Sequence, residues 1–173
     1  VGERELEVGG VRITGDRIVI AAGARSFIPD VPGIDDVPFH TSDSILRIAQ
    51  QPKHLIILGG GFIATELGHV FQALGSAVTI VNRSHQLLTA EDHDVSLRFT
   101  ELADGPFDLA LGSQVQMVSR TDTGVAVHVT CDGGDRTIEG DVLLVAAGRI
   151  PNSDQLQVQA AGIATDARGN ITV

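Results

Sequence analysis

Three consecutive glycines stand between two apolar runs in IILGGGFIATELGHVFQALGSAVTIVNR, residues 56–83. The run before them, His54–Leu58, has the length and branched residues of a buried strand. Phe62–Leu74 carries helical apolar spacing, and Ala77–Asn82 reads as a second strand. A strand, a helix and a second strand of these lengths form a βαβ unit, whose two strands lie parallel. Within it, Gly59-x-Gly61-x-x-Ala64 follows a strand and opens a helix, which is the context the dinucleotide fingerprint requires. Gly59 makes the tight turn, and Gly61 leaves room for a pyrophosphate. Ala64 keeps the helix close to the strand, while the helix N-terminus offers N–H groups to the anion. Gly68 extends the small-residue face, and Gly75 stops the helix.

The end of the second strand separates two nucleotide chemistries. A ribose 2′-hydroxyl is read by Asp or Glu at that place, whereas a 2′-phosphate is repelled by an acid and calls for a cation. Here Asn82 is neutral, and Arg83 follows with a guanidinium able to form paired bonds to phosphate. The residues therefore favour NADPH over NADH. His85 reads as a surface histidine.

Elsewhere the chain supplies more of the same fold. Gly9-Gly10 separates Glu5–Val8 from Val11–Ile13 as a hairpin, and Arg17–Ala22 reads as a buried strand ended by Gly23. Ala24–Pro38, with three prolines, has the composition of a linker. Thr41-Ser42-Asp43 offers N-caps for a short helix reaching Ala49, which Pro52 stops. A helix is expected over Asp94–Ala103, a strand near Phe107–Leu111, and a meander over Val115–Ile138 turning at Gly124 and Gly133-Gly134. Val142–Ala146 is a further apolar strand. RIVIAAGA at 17–24 and VLLVAAGR at 142–149 echo each other, each ending an apolar run on Ala-Ala-Gly, where small residues admit a flat group or another backbone. The fold class is α/β, a Rossmann-like parallel sheet with helices and a β-meander. A hydrophobic fraction of 43% with no Trp or Tyr suits such an aliphatic core. A net charge of -10 argues against nucleic acid as partner. No apolar run is long enough to span a membrane, and a cytoplasmic location is expected. A single cysteine, Cys131, excludes a disulfide framework and a CxxC metal pair, so no metal site is expected.

With these pieces assembled, the chain resembles the central part of the flavin-dependent pyridine nucleotide disulfide oxidoreductases, the glutathione reductase and dihydrolipoamide dehydrogenase family. TGDRIVIAAG looks like the strand closing that family's first FAD segment, GGGFIATE its NAD(P)H fingerprint, and VAAGRIPN its return to the FAD domain. Phe62 after the glycines and RFTELA at 98–103 are most similar to the mycothione reductases. The resemblance implies that Ala22 and Gly23 end an FAD-domain strand and are cofactor-binding residues. Phe62 then lies over the flavin as a lid, and Glu66 pairs with a lysine near the flavin and contacts the nicotinamide side. Arg83 meets the 2′-phosphate as the first of two arginines. The second falls on Thr89, which weakens the expected discrimination. Ala147, Gly148 and Arg149 line the cleft between the two dinucleotide domains.

The family's chemistry also uses a CxxxxC pair beside FAD and a His-Glu pair from a partner subunit, and neither pattern is present. Cys131 is expected to be an inert structural thiol, and no catalytic residue is assigned. The expected organisation is a first FAD-domain piece with linker at 1–40, an NADPH-binding domain at 41–148, and the start of the return to the FAD domain at 149–173. The resemblance implies a longer homodimeric enzyme that binds FAD and NADPH and reduces a low-molecular-weight disulfide, most similarly mycothiol disulfide, with the 173-residue chain inactive by itself. The alternatives are an NADH-linked dihydrolipoamide dehydrogenase or ferredoxin reductase type domain, and a non-catalytic NAD(P)-binding module.

Overall fold

A computed structural model describes residues 4–173, so the first three residues of the expected 1–40 piece lie outside the described residues. The chain divides into two compact units, Val1–Arg25 with Arg149–Val173, and Ser26–Gly148. In the first, β1 (Glu5–Val8) and β2 (Val11–Thr14) form the antiparallel hairpin expected around Gly9-Gly10, both glycines having positive φ. The other ribbon joins β3 (Ala24–Ser26), of which Ala24 and Arg25 belong to this unit, to β11 (Arg149–Pro151). Arg25 clamps it by two hydrogen bonds to Asp154, at 2.7 and 3.0 Å, which hold that carboxyl below the usual carboxylate range. Residues 17–22, expected to be a buried strand, are neither. They have no strand geometry, and Val19 is 87% exposed. An apolar run becomes a buried strand only where another strand and a covering layer receive it. The first unit's described strands are already paired elsewhere.

The second unit carries the βαβ core. Strands β4 (His54–Leu58) and β5 (Ala77–Val81) flank helix α1 (Phe62–Ala73). After helix α2 (His93–Ala103) come β6 (Asp108–Ala110), the meander β7 (Gln114–Arg120), β8 (Val125–Cys131) and β9 (Gly134–Gly140), and finally β10 (Val142–Val145). The parallel sheet runs β10-β4-β5-β6. Its strands are apolar on both faces because both are covered, and the period of two sorts the side chains between them. Leu55, Ile57, Val78, Ile80 and Leu144 pack with Ala64, Phe71, Leu87 and Ala103 on the helical side. Ile56, Leu58, Val81, Leu143 and Val145 pack with Val118, Val125, Val127, Val129 and Ile138 of the meander. Gly68 lets α1 approach the sheet, since a Cβ there would stand 3.3 Å from Ile57 Cδ1.

Two further expectations change. The helix from Thr41 to Ala49 shrinks to a 3-10 turn, Ile45–Arg47, without a side-chain cap. Thr41 Oγ1 accepts from Asp43 N–H at 3.3 Å and Ser44 Oγ from Thr41 N–H at 3.2 Å, so these side chains close a local turn instead of capping a helix, and Pro52 stops the chain beyond it. The proline-rich stretch 24–38 lacks regular structure over most of its length, yet beyond Ser26 it is packed. Ile34 and Val37 are buried with the meander, and Pro32 accepts a hydrogen bond from Val118 N–H at 2.9 Å. Gly33, at φ +82°, passes so close to Val118 that an added Cβ would run into its carbonyl. Gly33→Ala is therefore expected to destabilise the protein by about 2 kcal/mol or more, from the left-handed backbone and the collision together. Urea unfolding measures it, and an unchanged midpoint would mean that this stretch is a loose tether.

Candidate functional site

The site is built where β4, β5 and β10 end. Gly59 N–H donates to Val81 carbonyl at 2.9 Å and Ala146 N–H to Leu58 carbonyl at 2.8 Å, so three strand ends are stitched together there. The chain must turn at once into α1. Gly59 takes φ +121°, and a Cβ would strike the Ala146 carbonyl. Gly61, the N-cap of α1, faces open space, with nothing within 4 Å of where its Cβ would be. The first intrahelical bond there is Thr65 N–H to Gly61 carbonyl, at 3.1 Å, so the amides of residues 62–64 precede the helix ladder and are available to an anion.

These groups open into a cleft of about 510 Å³ within the Ser26–Gly148 unit, in the range of small-molecule sites. Gly59, Gly61, Asn82, Arg83, Ala147 and Gly148, all singled out from the sequence, line it together, and so does Thr89. Among the described residues Arg83 makes no ion pair or side-chain hydrogen bond, and its guanidinium is uncommitted. Asn82 is half-buried and does not end its strand in solvent; its Nδ2 donates to Gln86 carbonyl at 3.0 Å and Ser84 carbonyl at 3.3 Å.

Other expected residues lie elsewhere. Ala64 is fully buried beneath the glycine turn, as a spacer. Phe62, 60% exposed, and Glu66, also exposed, stand on α1 outside the cleft lining. Ala22, Gly23 and Arg149 belong to the other unit. There Asn152 donates through its side chain to Ala22 carbonyl at 2.9 Å and through its backbone to Gly23 carbonyl at 3.0 Å, and Arg149 donates to Ala24 carbonyl. Cys131 donates to Gly134 carbonyl at 3.1 Å and is a free thiol. His85 is largely exposed, 3.9 Å from Asp132. Among the described residues there is no cluster of potential metal ligands, and no helix is long and apolar enough to cross a membrane.

Sequence reasoning missed the opposite wall of the cleft, Phe27, Pro29, Asp30 and Val31 with Ser113 and Val115. Phe27 N–H donates to Gly148 carbonyl at 2.9 Å, which starts that wall at the end of β10, and Pro32 fastens it to the meander. No periodic signal could have found it, because the stretch is irregular and proline-rich.

Comparison with known proteins follows the same lines. A family model described as pyridine nucleotide-disulphide oxidoreductase matches residues 1–173. A mercuric reductase of Bacillus cereus is 38% identical over 174 residues, covering 100% of this chain and 28% of that protein. A mycothione reductase of Mycobacterium tuberculosis is 42% identical over 154 residues, covering 89% of this chain and 33% of that protein. Among solved structures, the HOCl-induced flavoprotein disulfide reductase RclA from Escherichia coli superposes with a TM-score of 0.83 at 35% identity, over 98% of this chain and 39% of that chain. The chain thus spans roughly a third of the length of the curated relatives it matches.

The open space at Gly61 sets a test of the cleft. Gly61→Val is expected to abolish binding of NADPH and NADH alike while the far-ultraviolet circular dichroism stays unchanged, since the new side chain would enter the space left for the anion and its Cβ would have no protein atom within 4 Å. Retained affinity for either dinucleotide would remove the fingerprint assignment.

Proposed function

The chain belongs to the pyridine nucleotide-disulphide oxidoreductase family, and from that premise we propose that it is the NADPH-binding part of a flavin-dependent disulfide reductase. The observation that carries the NADPH reading is an uncommitted cation, Arg83, lining the same cleft as the glycine turn, with Asn82 where an NADH site would place an acid.

The residues fit such a cofactor. Gly61 and the first amides of α1 take the pyrophosphate, Gly59 keeps the turn tight, and Arg83 binds the 2′-phosphate. Ala146, Ala147 and Gly148 give the other end of the cleft a flat, small-residue floor suited to a nicotinamide ring. When bound, NADPH supplies a hydride, which the whole protein would pass through FAD to a dithiol outside this chain. The work of these residues is to bind and orient the donor. Phe62 and Glu66, exposed on α1, are the side chains proposed to face the flavin in the whole protein, and Ala22, Gly23 and Arg149 belong to the part proposed to complete the FAD domain.

Mycothiol disulfide is the substrate we favour, on the 42% identity to the mycothione reductase and on Phe62 and the 98–103 stretch. The whole protein is proposed to be a cytoplasmic homodimer. Thr89 in the cleft, at the place of a second arginine, supports only moderate discrimination against NADH.

Titration calorimetry tests the reading directly. Arg83→Ala is expected to weaken NADPH binding by about 1.5 to 3 kcal/mol, the range for hydrogen bonds to charged groups, and to leave NADH binding nearly unchanged. Equal NADPH affinity in variant and parent would make the arginine a bystander.

A further inference from the structure

The NADPH reading leaves the middle glycine of the triplet unexplained. Gly60 is not among the glycines with positive φ, so its backbone does not require glycine. Space does. A Cβ at position 60 would stand 2.5 Å from Nδ2 and 2.6 Å from Cγ of Asn82, whose carboxamide is seated over the glycine.

That carboxamide is fixed from both sides. Its Nδ2 donates to the carbonyls of Gln86 and Ser84, and Ser84 Oγ in turn accepts from Gln86 N–H at 3.3 Å. Leu88, at φ +54°, turns the chain back so that its N–H donates to Gly60 carbonyl at 2.7 Å. Between these points Leu87 is fully buried, with its N–H bonded to Thr100 Oγ1 at 2.9 Å and its carbonyl to Ser96 Oγ at 2.6 Å. Residues 82–88 are therefore a loop closed on itself, fastened to the glycine turn on one side and to α2 on the other. Arg83 sits on this loop and Thr89 directly follows it, and both line the cleft.

We propose that Asn82 is a positioning residue: its carboxamide, seated over Gly60, closes the 82–88 loop and so fixes where Arg83 meets the 2′-phosphate. The proposal rests on the NADPH reading of the cleft. It gives the position a different role from a ribose contact. An aspartate here has no N–H to donate and would set its carboxylate against the carbonyls of Ser84 and Gln86. The loop that presents the cation and the exclusion of an NADH-type acid are then one feature, and Gly60 is its sterical complement.

The experiment measures NADPH and NADH dissociation constants of the 173-residue chain by titration calorimetry, for the parent and for Asn82→Ala, Gly60→Ala, Arg83→Ala and the Asn82→Ala/Arg83→Ala pair. NADH shares the glycine turn and α1 but lacks the 2′-phosphate, so general damage lowers both affinities and leaves their ratio alone. Asn82→Ala and Gly60→Ala are each expected to lower the NADPH-to-NADH preference by about tenfold, which is the loss of one charge-assisted contact. With Arg83 already alanine, Asn82→Ala is expected to lower it no further, because the two residues act through one contact. An unchanged ratio in Asn82→Ala, or a second full loss in the double variant, would overturn the positioning role while leaving the NADPH reading in place. An unchanged ratio in Arg83→Ala would overturn both. Should Gly60→Ala fail to fold, the Asn82→Ala pair of measurements still decides.

Discussion

Everything in the Ser26–Gly148 unit depends on backbone packed against backbone where β4 ends. Gly59 turns with its Cα against the Ala146 carbonyl at the end of β10 and its N–H on Val81 at the end of β5. No side chain can occupy that point. Because three strand ends are held within hydrogen-bond distance of one another, α1 begins directly over the sheet edge and its first amides open into the cleft. Open parallel sheets bind ligands at the carboxyl ends of their strands for this reason: the hydrogen-bonding capacity of the loops is free there while the strands beneath are rigid.

The same constraint shapes the walls. On the β10 side the chain needs only small residues, Ala146 to Gly148. On the β5 side the 82–88 loop is tied down through Leu87 and Leu88, and Arg83 projects from a fixed base rather than from a mobile tip. The third wall is the irregular stretch from Phe27 to Val31, pinned at Gly148 and, through Pro32, at Val118. A cleft whose walls are preorganised spends little binding free energy on ordering them, and under the proposed function a single cation can then bias the choice of coenzyme.

How much of this was legible in the sequence varied with how local the cause was. His54–Leu58 and the helix from Phe62 were readable because length, periodicity and the glycines all agreed within thirty residues, and Gly59, Gly61, Asn82 and Arg83 fall in one cleft as their spacing implied. Ile18–Ile20 could not be read the same way. Their apolar character is real, but burial needs a receiving sheet, and the described residues provide none for them. For 24–38 the prolines correctly signalled irregular backbone, yet irregular is not unpacked, and Gly33 is glycine because of Val118, 85 residues away in sequence. Gly60 belongs with it, since its reason is the Asn82 carboxamide across the turn. Thr41-Ser42-Asp43 had capping chemistry, but the Thr41 and Ser44 hydroxyls accept from nearby backbone N–H groups in a local turn, an alternative that the residue types alone do not separate from a helix cap.

The central claim is that the glycine turn and Arg83 hold the two anionic ends of one NADPH adenosine. A crystal structure of the chain with NADPH tests it most directly. The account predicts the pyrophosphate on the amides that follow Gly61 and the 2′-phosphate within hydrogen-bond distance of the Arg83 guanidinium. A 2′-phosphate directed into solvent with Arg83 turned away, or a nucleotide bound outside the cleft, would contradict it.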